Sequence, residues 1–157
     1  MRARLRSTEH GFTLVELLIV CVLLSALLAI SAPAYISWGA ARAQQDTARD
    51  VVSQLRSAQV RAQAEVTPYR VDITSGTVTT YRVPLSGPAQ LSRRYEVSTS
   101  RVQLTGGTFV DSKGAGSRVW FFPRGNSSDG QVTVTRTSST TTYDIEVEGL
   151  TSRVTFD

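Results

Sequence analysis

Histidine is almost missing from this chain, and its scarcity removes functions before any motif adds one. The single histidine, His10, lies within the first eleven residues. Everything beyond it lacks a side chain that ordinarily titrates near neutral pH. The single cysteine, Cys21, lies inside a long apolar run, so no intramolecular disulfide can form. The folded part must hold together without one, even in a compartment that would permit it. Cys21 itself reads as a small apolar packing residue. Serine and threonine are plentiful, yet no candidate base stands beside them in a recognisable motif, so nucleophilic catalysis has no machinery here. Metal ligation would be confined to oxygen ligands. Asp144, Glu146 and Glu148 alternate along one strand face. Calcium would suit such oxygens, but a solvated strand face accounts for them without it. No catalytic residue, metal site or cofactor is expected.

Charge is modest as well. The formal net charge is +4, with 17 basic and 13 acidic residues. Arg2, Arg4, Arg6 and Glu9 all precede Gly11, so a chain without the first eleven residues would carry 14 basic and 12 acidic groups. A net +2 is weak support for a nucleic-acid partner.

What the chain does have is concentrated near its N-terminus. After the short basic segment ending in Gly11, apolar residues run from Phe12 to Ala34, a stretch of 23 residues. As a helix this is roughly 34 Å long, at about 1.5 Å per residue. A bilayer core of about 30 Å is within its reach. The basic flank places the N-terminus in the cytoplasm and the C-terminal part outside the membrane. A secretory signal peptide fits poorly: the run is too long, and Ser31-Ala32-Pro33-Ala34 would set a proline beside any cut. A plain signal anchor does not explain Glu16, because a carboxylate in a membrane helix costs a few kcal/mol and usually has a functional partner.

Gly11-Phe12-Thr13-Leu14-Val15-Glu16, with the basic segment before it and the apolar helix after it, resembles the leader signal of type IV prepilins and type II secretion pseudopilins. Pro33 falls where those proteins commonly carry a helix-kinking proline. The resemblance implies cleavage between Gly11 and Phe12 by a prepilin peptidase, and N-methylation of the new Phe12 amine. It implies that Glu16 neutralises the Phe12 ammonium of a neighbouring subunit, two charges being tolerable together where each alone is costly. Other pilin or pseudopilin subunits and an inner-membrane assembly platform are the implied partners.

The domain reading is therefore a leader over 1–11, a transmembrane and assembly helix over 12–34, and a periplasmic globular part over 35–157. Tyr35 to about Ala64 continues as an amphipathic helix, because Val51, Leu55, Ala58 and Ala62 recur on one face. Asp46, Asp50, Arg49 and Arg56 read as its solvated side. Thr67-Pro68 ends it. Beyond that point, alternating apolar residues between turn signals predict strands. These are 69–73 and 78–83 as a hairpin, 94–97, 102–104, 108–110, 119–122, 132–135, 142–147 and 154–156, with 84–90 as a loop and Asp129-Gly130 as a turn. The fold class is α+β, pilin-like: one long N-terminal helix, half transmembrane and half amphipathic, packed on an antiparallel β-sheet.

A second resemblance covers most of the remainder. Phe121-Phe122-Pro123-Arg124-Gly125, Gly130 opening a strand, and Gly149 closing Tyr143–Glu148 are similar to the C-terminal half of the GspH/FimT family of minor pilins and pseudopilins. The helix end, Arg56 to Ala64, is similar too. Two classes of function follow. One is a structural subunit of a type IV pilus or type II secretion system, assembled in a filament or priming it. The alternative is a DNA-binding minor pilin for natural transformation, with Arg118, Arg124, Arg136 and Arg153 as candidate contacts. Against it, Gly149 is followed by Leu150-Thr151-Ser152-Arg153, so the Gly-Arg-x-Arg type of pattern is not reproduced, and the Asp144–Glu148 strand beside it should repel phosphate.

Overall fold

The computed structural model describes residues 12–97, 101–105, 107–111, 114–137 and 139–156, without the side chains of 32–34, 111, 114 and 115. The leader over 1–11, with Gly11, lies outside the described residues, as does the Pro33 side chain. The chain divides into two compact units, residues 1–38 and 39–157. Helix α1, Leu14–Ala64, contributes to both.

In the first unit the helix begins at a capped turn and continues as backbone helix through Pro33. Its aliphatic side chains from Leu14 to Ile30 are exposed. The two serines of the run return their hydroxyl protons to the helix itself: Ser25 Oγ donates to the Cys21 carbonyl (2.7 Å) and Ser31 Oγ to the Leu28 carbonyl (3.2 Å). No polar donor of theirs needs water, as a helix in hydrocarbon requires. Cys21 is exposed, so the packing expected of it finds no place within this chain.

In the second unit the helix buries one face. Ala48, Val51, Val52, Leu55, Ala58 and Ala62 lie in the core, at the three-to-four spacing that the amphipathic pattern predicts. They meet two antiparallel sheets rather than the single sheet expected. The first consists of β1 (Tyr69–Ile73), β2 (Thr77–Arg82), β3 (Gln90–Glu96) and β7 (Arg118–Phe121), in the order β3-β2-β1-β7. The second is built on β8 (Asp129–Arg136). One edge of β8 pairs with β9 (Thr142–Val147), which carries β10 (Val154–Phe156). The other edge is shared by β4 (Val102–Thr105) and β5 (Phe109–Asp111), and β5 pairs with β6 (Gly114–Gly116). Inward-facing residues alternate along the strands: Tyr69, Val71 and Ile73; Val119 and Phe121; Val132 and Val134; Ile145 and Val147.

Several expectations change. Strand β3 begins at Gln90, inside the expected loop, and runs to Glu96 as an edge strand with little burial. β6 was not expected at all. Asp129-Gly130 is not a turn but the start of β8. A Cβ at Gly130 would stand 2.4 Å from the Thr108 carbonyl oxygen and 2.8 Å from the Phe109 Cα, so only glycine admits this pairing with β5. The polar side of the helix is tied down, not merely solvated. Asp50 Oδ2 accepts the Tyr95 hydroxyl (2.9 Å), Arg56 donates to the Val154 carbonyl (3.0 Å), and Arg61 donates to Ser92 Oγ (3.0 Å).

Candidate functional site

The N-terminal segment is built around a helix cap. Thr13 stands before the first helical residue, and its Oγ1 accepts the Glu16 backbone N–H (3.2 Å). Its carbonyl accepts the Leu17 N–H (3.2 Å). Thr13 is thus the N-cap, and Glu16 occupies the third helical position, where a carboxylate also meets the positive end of the helix dipole. The sequence signal was present, since Thr-x-x-Glu ahead of an apolar run is the capping-box pattern. Phe12, exposed and non-helical, precedes the cap. The Phe12 amide and Glu16 therefore lie at the very start of α1, with Glu16 on its first turn.

Within the second unit, the Phe-x-Pro-x-Gly stretch makes the turn anticipated. The Gly125 N–H donates to the Phe122 carbonyl (3.1 Å), and the Phe122 N–H to the Asn126 carbonyl (2.9 Å). Gly125 has φ +86°, a conformation that favours glycine. This turn is stitched to the chain's end: Ser152 Oγ donates to the Gly125 carbonyl (2.9 Å), and the Ser127 N–H to the Gly149 carbonyl (2.7 Å). The Gly149 N–H in turn donates to Asp129 Oδ1 (3.0 Å). The family-like glycines are structural joints.

The four candidate arginines are distributed around the second unit. Arg118 stands on β7 opposite Asp72 and approaches its Oδ1 at 3.9 Å. Arg124 is exposed in the 122–126 turn. Arg136 closes β8 at the end away from that turn and pairs with Val102. Arg153 leads into β10 and lines a shallow groove with Arg56, Gln59, Val60 and Phe156. An adjoining hollow is lined by Arg49, Val52, Ser53, Arg56 and Phe156. None of these lining residues is acidic. The structure thus brings Arg153 beside Arg56, read from sequence only as part of the solvated helix side, rather than beside Arg118 or Arg136, and Arg49 lines the adjoining hollow with Arg56. The helical spacing of Arg49 and Arg56 was the available signal.

Asp144 is exposed and accepts the Thr133 hydroxyl (2.6 Å), while Glu148, just past β9, accepts the Thr151 hydroxyl (2.6 Å). Among the described residues no three acidic, histidine or cysteine side chains gather as a metal site. The outer face of the first sheet holds a group that sequence reading passed over. Arg70 is fixed by Asp72, with Nε 2.9 Å from Oδ1 and a hydrogen bond of 3.0 Å to Oδ2. Its guanidinium lies 4.7 Å from the Tyr81 ring centroid and 5.9 Å from that of Trp120. Trp120 in turn stacks on Phe122. Strand alternation predicts that Arg70 and Asp72 share a face; only the register of β1 with β2 and β7 puts rings on both sides.

One electrostatic cluster locks the helix end to the sheet. Glu65 accepts the Tyr69 hydroxyl (2.9 Å) and the Arg82 Nε–H (2.8 Å). The Tyr69 bond, with help from Arg82, holds the Glu65 carboxyl below its ordinary range. Burial first, and the Asp50 bond second, push the Tyr95 hydroxyl up to about 12.

The comparisons with known proteins converge on this architecture. The model of the prokaryotic N-terminal methylation motif matches residues 6–32, and that of type II transport protein GspH matches residues 47–151. No curated protein matches the chain in sequence. Among solved structures, the minor pseudopilin EpsH from the type 2 secretion system of Vibrio cholerae aligns with a TM-score of 0.58 at 10% identity, over 72% of this chain and 94% of that one. The type IV minor pilin FimU of Pseudomonas aeruginosa aligns with a TM-score of 0.55 at 10% identity, over 72% of this chain and 91% of that one. At such identity the likeness is one of fold.

Proposed function

We infer, from the premise that this chain belongs to the type II transport protein GspH family, that it is a minor pilin or pseudopilin subunit of a type IV pilus or type II secretion system. It is membrane-anchored through the apolar half of α1. The observation that carries the reading is the junction of the methylation motif with the helix start: the cut after Gly11 would leave Phe12 one residue ahead of the Thr13 cap. The new ammonium would then sit next to the helix N-terminus. Two positive ends close together favour a carboxylate nearby, and Glu16 of an adjacent subunit supplies one. Prepilin peptidase, fellow pilin or pseudopilin subunits and an inner-membrane assembly platform are the partners. The N-terminus faces the cytoplasm and the folded unit the periplasm.

Intact mass of the membrane-purified protein tests the processing. Loss of residues 1–11 with one added methyl is expected, and a chain beginning after Ala32 refutes it. In the same cells, Glu16→Ala should still insert in the membrane yet be depleted from sheared filaments.

A second reading, DNA capture for natural transformation, is favoured by one feature, the groove lined by Arg56 and Arg153 with Arg49 in the adjoining hollow. Of the four arginines named from sequence it draws on Arg153 alone, and Arg118 is engaged by Asp72.

A further inference from the structure

The apolar span ends in a pair of amphipathic rings. Tyr35 and Trp38 are 75% and 60% exposed, and their ring centroids lie 6.4 Å apart. Ile36 between them is exposed as well. Between Glu16 and Arg42 the sequence carries no charged side chain, and the rings fall between the last aliphatic residues and that first cation. Tyrosine and tryptophan join an apolar body to a polar O–H or N–H. They are best placed where lipid meets water, with the body in the acyl region and the polar atom among headgroups.

Helix geometry turns this into a depth. Twenty-two residue steps separate Glu16 from Trp38 along α1, roughly 33 Å at about 1.5 Å per step. The hydrocarbon core is about 30 Å thick. With the rings at the outer headgroup layer, Glu16 reaches the opposite headgroup layer, close to Phe12. Its carboxylate then stays hydrated, and the cost of a few kcal/mol for a charge within the hydrocarbon does not arise. We propose that Tyr35 and Trp38 form an interfacial anchor that seats the unassembled subunit in the bilayer, with the outer headgroup layer as its occupant. This anchor sets the depth at which Glu16 meets the inner headgroups. The inference rests on the membrane-anchored reading. It gives the rings a role before assembly, as a depth stop that keeps Glu16 among the inner headgroups and out of the hydrocarbon.

The chain has two tryptophans, Trp38 and Trp120, so Trp120→Phe leaves Trp38 as the only indole. The full chain is reconstituted in vesicles of phosphatidylethanolamine and phosphatidylglycerol carrying lipids brominated either just below the headgroup or near the chain ends. Trp38 emission should be quenched strongly by the shallow bromines and weakly by the deep ones. In the reciprocal Trp38→Phe protein, Trp120 should be quenched by neither. Firm insertion with Trp38 quenched best by deep bromines, or reached only by an aqueous quencher, overturns the proposal alone. Extraction of the protein from the vesicles by alkaline carbonate overturns the anchored reading, and the proposal with it.

Discussion

Tyr95 and Gln44 show how single side chains hold the helix to the sheets. Gln44 is 1% exposed, and its Nε2 donates to the carbonyls of Val134 (2.9 Å) and Thr141 (2.8 Å). A buried amide is tolerable because both of its protons are satisfied, and it pins the α1 face to the β8–β9 hairpin. Tyr95 does similar work from β3, through Asp50. Its hydroxyl is held protonated by burial and by that carboxylate, with the titration moved from 10.0 to about 12. The linkage runs in one direction. A group whose folded value is raised contributes fully below its unfolded value, and the contribution fades as pH climbs through the folded one. Stability should therefore decline as pH rises from about 10 towards about 12 through this residue. Tyr95→Phe should flatten that decline, as read from denaturant midpoints across the alkaline range. An unchanged alkaline slope would assign the loss to other groups.

At the level of elements, the end of α1 stores a small strain. The Thr67 N–H reaches back to the Ala62 carbonyl (3.2 Å), closing a Schellman-type turn, and Val66 occupies its left-handed position at φ +49°. A β-branched residue there is unfavourable, and Val66 is 72% exposed, so it recovers little by burial. Val66→Gly should raise unfolding stability by about 0.5 to 1 kcal/mol, the relief of strain exceeding the added chain entropy. Chemical denaturation of residues 39–157, the unit with its own core, would measure it; a loss of stability would show that the turn tolerates valine without cost. β3 makes a related point about elements. It is an edge strand bearing Arg93 and Arg94, with a register shift against β2 between Thr80 and Tyr81. Charge and irregularity together discourage pairing with a foreign strand.

For the whole molecule, charge distribution decides the DNA question. Non-specific affinity grows with the number of phosphates contacted, and the salt slope is about −0.9 per phosphate on duplex DNA. Arg118 shares Asp72 with Arg70, Arg136 closes the far end of β8, and Arg124 stands in a separate turn. The remaining groove offers Arg49, Arg56 and Arg153, few contacts for a duplex. Residues 39–157 should bind duplex DNA with a dissociation constant above about 10 μM at physiological salt, and with a shallow salt slope. Tight binding with a slope of several phosphates, lost on Arg153→Ala or Arg56→Ala, would favour the DNA-capture reading over the structural one.

The local features of this protein were legible in the residues themselves. The span from Phe12 onward, the amphipathic register of Val51, Leu55, Ala58 and Ala62, and the β1–β2 hairpin each depend on neighbours a few positions away, and periodicity reports them. β3 escaped in part because an edge strand with only Ser92 and Tyr95 partly covered has no apolar alternation to read, and β6, Gly114–Gly116, has no large side chain to announce it. The division into two sheets arises because β7 pairs with β1 while β4, β5 and β9 pair with β8, a choice among distant pairings that all suit the same alternating pattern. Gln44 looks like a surface residue until the two carbonyls it serves, 90 and 97 residues away, are folded against it. The arginines were visible one by one, but their grouping was not. Which of them share a surface depends on strand register and on where the helix lies across the sheets, and those are set by the packing of the whole core.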